Sequence, residues 1–342
     1  MRKVRIDDAI GLPLLHDVTQ ITEGFKGARF KRGHVITRDD VSTLLDMGKK
    51  CVYISDPDDN LVHEEAAAIR LSRLARTDRT HFGEISEGKI VQFADADGFL
   101  EIDIELLNML NSIQDVTICT QRNHMRVKKG ERIASMRIVP LWTDEKNLAK
   151  AEEIAKGRRL LVLHEYEHRK VGIVITGSEV FSGRIEDKFQ PVLKRKLAAF
   201  PHEVVGARIC DDDERMITEA CNDLIGNGAD LLLLTGGMSV DADDVTTEAV
   251  RSLGFDIVTH GVPCQPGNMT LLAYKDGMPA VGIPSAAISR PVTVLDVILP
   301  SLFAGIQISR NDMIAMANGG LCDMCDKNGA QCHFPNCHFG NY

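Results

Sequence analysis

The sequence lacks a surplus of positive charge, since 40 Lys and Arg residues face 49 Asp and Glu residues for a net charge of -9. Nucleic-acid binding depends on clustered cations that neutralise phosphates, so this balance argues against nucleic acid as the main partner. No apolar run approaches the roughly 20 residues that span a bilayer, and the N-terminal segment has no apolar signal core. We therefore expect a cytoplasmic enzyme or binding protein with no membrane partner.

Aromatic residues are also scarce, at 5% of the chain with a single tryptophan. We expect Trp142 to fill a core or a hinge rather than to serve as a stacking platform. The nine cysteines are unevenly placed, because four of them fall within the last 21 residues and the other five are scattered. In a reducing compartment, scattered cysteines are usually small buried hydrophobic residues, whereas clustered ones indicate a metal site.

The length of 342 residues is enough for two or three domains, taking roughly 100–200 residues per domain. Local patterns favour four regions, which differ in the period of their apolar residues. These are a small α/β unit over 1–80, a mostly β module over 81–158, a larger α/β domain over 159–308 and a Cys-rich tail over 309–342.

Two local predictions can be checked in the N-terminal half. A helix is expected from about Val62 to Arg76 with Ala66, Ile69 and Leu74 facing inward. A hairpin is expected where two apolar runs flank the Asp97-Gly98 turn signal.

The larger α/β domain is predicted from strands that alternate with helices. Val171–Ile175 and Leu231–Leu234 are continuous apolar runs, each followed by a glycine-containing turn. The segments between such runs are long enough for a helix, and this alternation favours a doubly wound, mostly parallel sheet. In folds of this class, ligands bind beyond the carboxyl ends of the strands.

Both of these turns are candidates for a phosphate or oxyanion site. Glycine lets the backbone approach a ligand and present N–H groups to an anion. Either turn alone is also ordinary turn chemistry, but two in neighbouring units of one sheet favour the ligand site. Carboxylates beside a phosphate repel it unless Mg²⁺ lies between them, and acidic side chains are abundant near both turns. The alternative is that Asp243 and Asp244 only cap the helix that follows. The acidic residues concerned are Glu179, Asp187, Asp241, Asp243 and Asp244.

The sequence Thr235-Gly236-Gly237, followed by Asp244-Val245-Thr246-Thr247-Glu248-Ala249, resembles the signature of the molybdopterin-binding domain. That domain is shared by molybdopterin adenylyltransferase and molybdopterin molybdenumtransferase, and the resemblance covers about 160–305. The turn at Thr176-Gly177-Ser178-Glu179 resembles the first loop of the same domain. The N-terminal stretch more weakly resembles the opening of the molybdenumtransferase, and the extra ~150 residues before the domain favour that architecture.

The resemblance implies a set of site residues in four segments of this chain. Those implied to bind the cofactor are Thr176, Gly177, Ser178, Thr235, Gly236, Gly237, Ser239, Pro266, Gly267, Gly282 and Pro284. The implied catalytic carboxylates are Asp244, Asp187 and Glu179, with Asp244 and Asp243 as ligands of Mg²⁺. The sequence departs from the molybdenumtransferase pattern at Gln265, where a lysine is expected, at Ala242, where an aspartate is expected, and at Ser285-Ala286-Ala287.

The function implied by the resemblance is molybdenum cofactor biosynthesis. The ligand would be molybdopterin or its adenylylated form, with Mg²⁺, and molybdate would be inserted by a transferase reaction. Two alternatives stay open: a carrier or sensor that binds the cofactor without turnover, and a nucleotide-processing hydrolase with the Gly-Gly…Asp-Asp-x-Thr pattern of competence-damage-type proteins. Relatives of the domain self-associate, so a homo-oligomer is expected, and the partners are pterin or nucleotide small molecules.

The C-terminal tail is predicted to hold a metal through Cys322, Cys325, Cys332 and Cys337. Four thiolates with one close pair can wrap a metal without a large core. Zinc is the first expectation and an iron–sulfur cluster the second, since thiolates suit both. The alternative is a reduced tail whose cysteines bind nothing.

Overall fold

The computed structural model of the chain describes residues 3–22, 25–54, 60–238, 245–322, 325, 332–340 and 342. Contacts divide the chain into two compact units. The first unit comprises Met1–Asp95, Ile102–Gln121 and Lys129–Val162, and the second comprises Ala96–Glu101, Arg122–Lys128 and Leu163–Tyr342. The four regional boundaries expected from the sequence stay a prediction. Across the described residues, no helix combines the length and apolar character that crossing a membrane requires.

The strands of the described residues are numbered in chain order. They are β1 (Lys3–Arg5), β2 (Val18–Thr22), β3 (Phe25–Phe30), β4 (Cys51–Tyr53), β5 (Leu61–His63), β6 (Thr80–Phe82), β7 (Ile90–Ala94), β8 (Gly98–Ile102), β9 (Val116–Thr120), β10 (Met125–Val127), β11 (Arg132–Ile138), β12 (Trp142–Asp144), β13 (Leu161–Glu165), β14 (Arg169–Thr176), β15 (His202–Cys210), β16 (Leu231–Thr235), β17 (Asp256–His260), β18 (Leu271–Lys275) and β19 (Met278–Ile283).

The helices are numbered in the same way. They are α1 (Asp40–Asp46), α2 (Glu64–Leu74), α3 (Ile104–Asn111), α4 (Glu145–Ala155), α5 (Ser178–Phe181), α6 (Phe189–Leu197), α7 (Glu214–Gly226), α8 (Thr246–Ser252), α9 (Ala286–Ser289), α10 (Val294–Phe303) and α11 (Arg310–Ala315), with a 3₁₀ turn at Ile6–Asp8.

The first unit is built on a four-stranded sheet in the order β6-β7-β11-β9, with antiparallel neighbours. Helix α2 packs against β11. Its buried residues include Ala67, Ala68 and Leu71, so the predicted inward face was wrong. Ala66 and Ile69 are exposed. Two apolar stripes run along this alanine-rich helix, and only contact with the sheet selects the buried one.

The predicted hairpin at Asp97-Gly98 was also wrong. Strand β7 pairs with β6 and β11, while β8 belongs to a separate three-stranded sheet in the order β10-β8-β13. A Cβ on Gly98 would lie 2.3 Å from the carbonyl oxygen of His164. The glycine therefore permits a close approach of two strands instead of forming a tight turn.

The second unit is built on a six-stranded sheet in the order β15-β14-β16-β19-β18-β17. The first four of these strands are parallel to one another, and β18 and β17 add an antiparallel edge. All five residues of β16 are buried. A strand that is buried on both faces has a continuous apolar sequence, which is the reason that the run could be recognised.

Helices cover both faces of this sheet, so the predicted doubly wound α/β fold is confirmed. Alternate residues of β16 enter different cores, with Leu231 and Leu233 in one and Leu232 and Leu234 in the other. Side chains of α6 and α10 complete the first core. Side chains of α7 and α8 complete the second. This arrangement places the turns after β14, β16 and β19 at one edge of the sheet.

Candidate functional site

Two glycine-containing loops meet at the carboxyl edge of the six-stranded sheet. The first loop is Thr176–Glu179, after β14, and the second loop is Thr235–Met238, after β16. We call these two segments the paired-loop site. Ile175 is in register with Thr235 across the parallel pair, so both strands end at the same level. The hydroxyl of Thr176 donates to the carbonyl oxygen of Thr235 at 3.1 Å, which joins the loops directly.

The close approach of the two loops requires a glycine at position 236. Gly236 has a φ of +84°, and a Cβ there would lie 2.4 Å from the carbonyl oxygen of Thr176. A backbone oxygen cannot rotate away as a side chain can, so any larger residue would push the loops apart. A Cβ on Gly237 would similarly lie 2.4 Å from Oγ1 of Thr246. Both glycines therefore shape the paired-loop site.

Three polar side chains, those of Thr246, Thr247 and His260, support the second loop through hydrogen bonds. The hydroxyl of Thr246 donates to the carbonyl oxygen of Gly236 at 3.0 Å. Nε2 of His260 lies 3.1 Å from the carbonyl oxygen of Met238, and Thr247 approaches the other ring nitrogen of His260 at 3.4 Å. Thr246 and Thr247 belonged to the recognised signature. His260 could not be recognised in the sequence, because it lies at the end of β17, outside the signature.

Thr235 contributes a buried hydroxyl that no described residue satisfies. The residue is fully buried, and its Oγ1 has no hydrogen-bond partner among the described residues. A buried polar group without a partner costs about 1–3 kcal/mol, so each one calls for an explanation, and a bound molecule that supplies the partner is one such explanation. This hydroxyl is the feature of the paired-loop site that points most directly to a bound ligand.

Carboxylate groups surround the first loop and accept hydrogen bonds from it. The backbone N–H of Ser178 donates to Oδ2 of Asp212 at 2.9 Å, and its hydroxyl donates to Asp211. Asp211 and Asp212 follow β15 and were missed by the sequence reasoning. Their signal was an acidic run directly after a predicted strand. Together with the exposed Glu179, they make this side of the paired-loop site acidic.

Asp187 lies at the start of a helix. Its two carboxylate oxygens accept the backbone N–H groups of Phe189 at 2.7 Å and Gln190 at 3.0 Å. Both are orphan donors of the first turn of α6, so Asp187 acts as a capping residue in this structure. The remaining predicted residues of the second loop, Ser239, Asp241, Asp243 and Asp244, lie outside the described residues.

The Pro266-Gly267 and Gly282–Pro284 segments, which were also predicted to bind the cofactor, differ from each other in their surroundings. A Cβ on Gly267, which has a φ of +107°, would lie 2.9 Å from the backbone nitrogen of Val294. Gly282 lies inside β19 instead of in a loop, and a Cβ there would lie 2.5 Å from the side chain of Met238. Gly282 therefore makes room for Met238 of the second loop. Pro284 follows that strand, and its carbonyl oxygen accepts the N–H of Ala287 at 3.0 Å.

The tail joins the segment before Pro266. The backbone N–H of Gln265 donates to Gly320 at 2.6 Å, and the N–H of Cys322 donates to the carbonyl oxygen of Gln265 at 2.9 Å. The residue that replaces the expected lysine therefore pairs with the tail through its backbone.

Three of the four tail cysteines, Cys322, Cys325 and Cys332, line one small cavity together with Pro266. The carbonyl oxygen of Cys337 instead accepts the guanidinium of Arg122 at 2.5 Å. The pKa of Cys264 is raised to about 12, mainly because the thiol is buried and to a smaller extent because Cys322 is near. Within the described part of the chain, no three His, Cys, Asp or Glu side chains are grouped so as to hold a metal.

One comparison with known proteins covers both loops of this site. Residues 172–308 match the model of a family described as a probable molybdopterin binding domain, and residues 3–56 match a domain of unknown function (DUF8806). A CinA-like protein of Mycolicibacterium vanbaalenii is 37% identical over 90 residues, and one of Mycobacterium tuberculosis is 36% identical over the same length. These alignments cover 26% of this chain and 21% of each relative, so the chain spans about a fifth of the length of the curated proteins it matches.

Solved structures of molybdenum cofactor proteins are also similar. The molybdopterin biosynthesis enzyme MoaB of Thermus thermophilus has a TM-score of 0.34 at 23% identity, covering 39% of this chain and 91% of that one. The molybdopterin biosynthesis protein MoeA of Pyrococcus horikoshii has a TM-score of 0.32 at 13% identity, covering 89% of this chain and 74% of that one. The family match over 172–308 is the comparison on which an assignment of this part of the chain depends, and it describes a probable molybdopterin binding domain.

Proposed function

We propose that the paired-loop site binds molybdopterin or its adenylylated form, and that the protein acts in molybdenum cofactor synthesis as a transferase that inserts molybdenum. The observation that carries the proposal is the unsatisfied hydroxyl of Thr235 at the carboxyl edge of a doubly wound sheet. Ligands bind at that edge in such folds. The family match over 172–308 supports the pterin as the ligand class.

The residues present fit a phosphorylated ligand. Thr235, Gly236 and Gly237 would hold it through a hydroxyl and through backbone that no side chain covers. The acidic first loop would repel phosphate unless a divalent cation lies between the two. We therefore include Mg²⁺ in the proposal, held by Asp243 and Asp244, where it would polarise the phosphorus–oxygen bond. Molybdate is the second substrate.

Among the carboxylates, we assign the acid–base role to Glu179, and Asp244 contributes to catalysis through the Mg²⁺ that it would hold. Both carboxylate oxygens of Asp187 accept backbone N–H groups at the N-terminus of α6. We propose that Asp187 positions the first loop. The wider proposal includes a cytoplasmic homo-oligomer whose partners are pterin and nucleotide small molecules.

Thr235→Val tests the binding site directly. Valine keeps the shape of threonine and removes a hydroxyl that has no partner in the described residues, so we expect the fold to be at least as stable. We expect the affinity for adenylylated molybdopterin to fall about tenfold, since one buried hydrogen bond is worth on the order of 1 kcal/mol. Affinity would be measured by titration calorimetry on the full chain under anaerobic conditions.

Thr143→Val is the matched control for this experiment. Thr143 is buried in the first unit, and its hydroxyl donates to Asp115 at 2.8 Å. That variant should lose stability and keep its pterin affinity. Equal pterin affinity in the wild type and in Thr235→Val would contradict the proposed site.

Release of AMP separates insertion from simple binding. The purified protein would be supplied with adenylylated molybdopterin, molybdate and Mg²⁺. Release that depends on molybdate supports the transferase, and tight binding without release supports the carrier or sensor.

A nucleotide-processing hydrolase is the second candidate. The 36–37% identity to CinA-like proteins over 90 residues favours it. Hydrolysis of a pyridine dinucleotide in the absence of pterin would replace the first proposal with this one.

We also propose that the tail holds zinc or an iron–sulfur cluster through Cys322, Cys325 and Cys332, which share one cavity; a role for Cys337 stays a prediction. Elemental analysis of the full chain should find a thiolate-bound metal that the Cys322→Ser/Cys325→Ser double variant loses. Cys119→Ser is the control, because Cys119 is exposed in the first unit. An equal metal content in the double variant would exclude these ligands.

A further inference from the structure

A cleft of about 400 Å³ opens on the second unit, and no residue of the paired-loop site lines it. Three arginines line it, namely Arg126 from β10, Arg195 from α6 and Arg290 after α9. None of them belongs to the first or second loop. Pockets that hold small ligands have volumes on the order of 300–1,000 Å³, so this cleft, the arginine cleft, is large enough for a small molecule.

The positive charge of the arginine cleft is not compensated by its own walls. Its one carboxylate, Asp296, is already paired with Lys196 at 2.6 Å. Lys196 also donates to the carbonyl oxygen of Pro291 at 3.0 Å. Over the described ranges, Arg195 and Arg290 make no ion pair or side-chain hydrogen bond. The guanidinium groups of Arg195 and Arg290 are therefore uncompensated among the described residues, in a chain whose net charge is -9, and such a local excess attracts anions.

Part of the lining of the cleft, namely Arg126 and Lys196, is held in place before any ligand binds. The guanidinium of Arg126 lies 4.9 Å from the ring centroid of Phe200, which is a cation–π contact. Phe200 stacks on Phe303 with the ring centroids 4.5 Å apart. The ion pair of Lys196 is almost fully buried and fixes the adjacent turn of α6 beside the start of α10. Preorganised side chains lose less entropy when they bind a ligand.

We infer that the arginine cleft binds the diphosphate group of a small molecule. Arginine recognises phosphate oxygens through paired N–H donors. A phosphate monoester carries about -1.5 to -2 charges at pH 7, so three guanidinium groups match two linked phosphates better than one. The inference goes beyond the proposed function, because pterin binding at the paired-loop site uses none of these arginines.

Titration calorimetry with inorganic pyrophosphate on the full chain at low salt tests the inference. We expect Arg195→Gln and Arg290→Gln each to weaken pyrophosphate binding about tenfold, and the double variant to weaken it about 100-fold, because hydrogen bonds to charged groups are the stronger class. Arg215→Gln is the matched control. Arg215 is exposed on α7 and pairs with Glu219 at 3.0 Å, so its replacement should leave the affinity unchanged.

The remaining variants and probes decide where the anion binds. Thr235→Val alters the paired-loop site, and pyrophosphate binding should survive it. Loss of binding in Thr235→Val with retention in the double arginine variant would assign the anion to the paired-loop site and overturn the inference. An equal loss in Arg215→Gln would show unspecific attraction. Absence of pyrophosphate binding to the wild type, or orthophosphate binding of equal strength, would also overturn it.

Discussion

Gly236→Ala is expected to lower the free energy of unfolding by about 3–5 kcal/mol, which is the range of severe single substitutions, and to abolish ligand binding at the paired-loop site. The new Cβ would lie 2.4 Å from the carbonyl oxygen and 2.5 Å from Oγ1 of Thr176. The side chain of Thr176 could rotate away, but its carbonyl oxygen cannot, because it belongs to the end of the buried strand β14. The two loops would therefore separate. Urea unfolding and calorimetry with adenylylated molybdopterin measure the two effects.

Gly277→Ala separates steric conflict from backbone strain. Gly277 has the same φ of +84°, but a Cβ there would meet nothing within 4 Å. Its replacement should cost only the strain of a left-handed residue, about 1–2 kcal/mol, and should leave ligand binding intact. If the two variants lost the same stability, close contact between the loops would not be the reason for the glycine at position 236.

Lys196→Met is expected to lower the free energy of unfolding by about 3–5 kcal/mol, the usual loss when one partner of a buried ion pair is removed. The side chains of Lys196 and Asp296 are 7% and 15% exposed, and Nζ lies 2.6 Å from the nearer carboxylate oxygen. Methionine fills the same space but leaves the carboxylate of Asp296 without its cation at the start of α10. Urea unfolding at constant pH and salt measures the loss.

Two further variants distinguish a buried charge from lost packing. Arg215→Met removes one partner of an exposed pair, whose side chains are 87% and 66% exposed. That change should alter stability by only about 0.5 kcal/mol. The Lys196→Met/Asp296→Asn double variant should recover part of the loss, because it removes the uncompensated charge. A double variant no more stable than Lys196→Met would attribute the effect to packing.

The fold of the second unit could be predicted because its signals are local. The runs at Val171–Ile175 and Leu231–Leu234 are apolar without interruption, and this pattern arises when helices cover both faces of a parallel sheet. The same property places both glycine loops at one edge. The predicted residues Thr176 and Thr235, although 59 positions apart, are therefore joined by a hydrogen bond.

The predictions that failed depended on partners far along the chain. Gly98 was interpreted as a turn residue, but it faces the carbonyl oxygen of His164. Strand β8 pairs with β10 and β13, and the residues around Asp97 contain no pattern from which these distant partners could be predicted. The contact of Ser178 with Asp211 and Asp212 was missed for the same reason, since parallel neighbours are separated by a whole helix.

The sequence by itself determined the alternation of strands and helices, the edge at which the loops lie and the ligand class that the signature implies. Only the tertiary structure decided which charges are compensated. Lys196 and Arg195 are adjacent in α6, yet one is buried against Asp296 and the other faces the arginine cleft. Arg126 reaches the same cleft from a separate sheet. Local propensity depends on neighbours within a few residues, whereas the balance of charge at a site depends on every element packed around it.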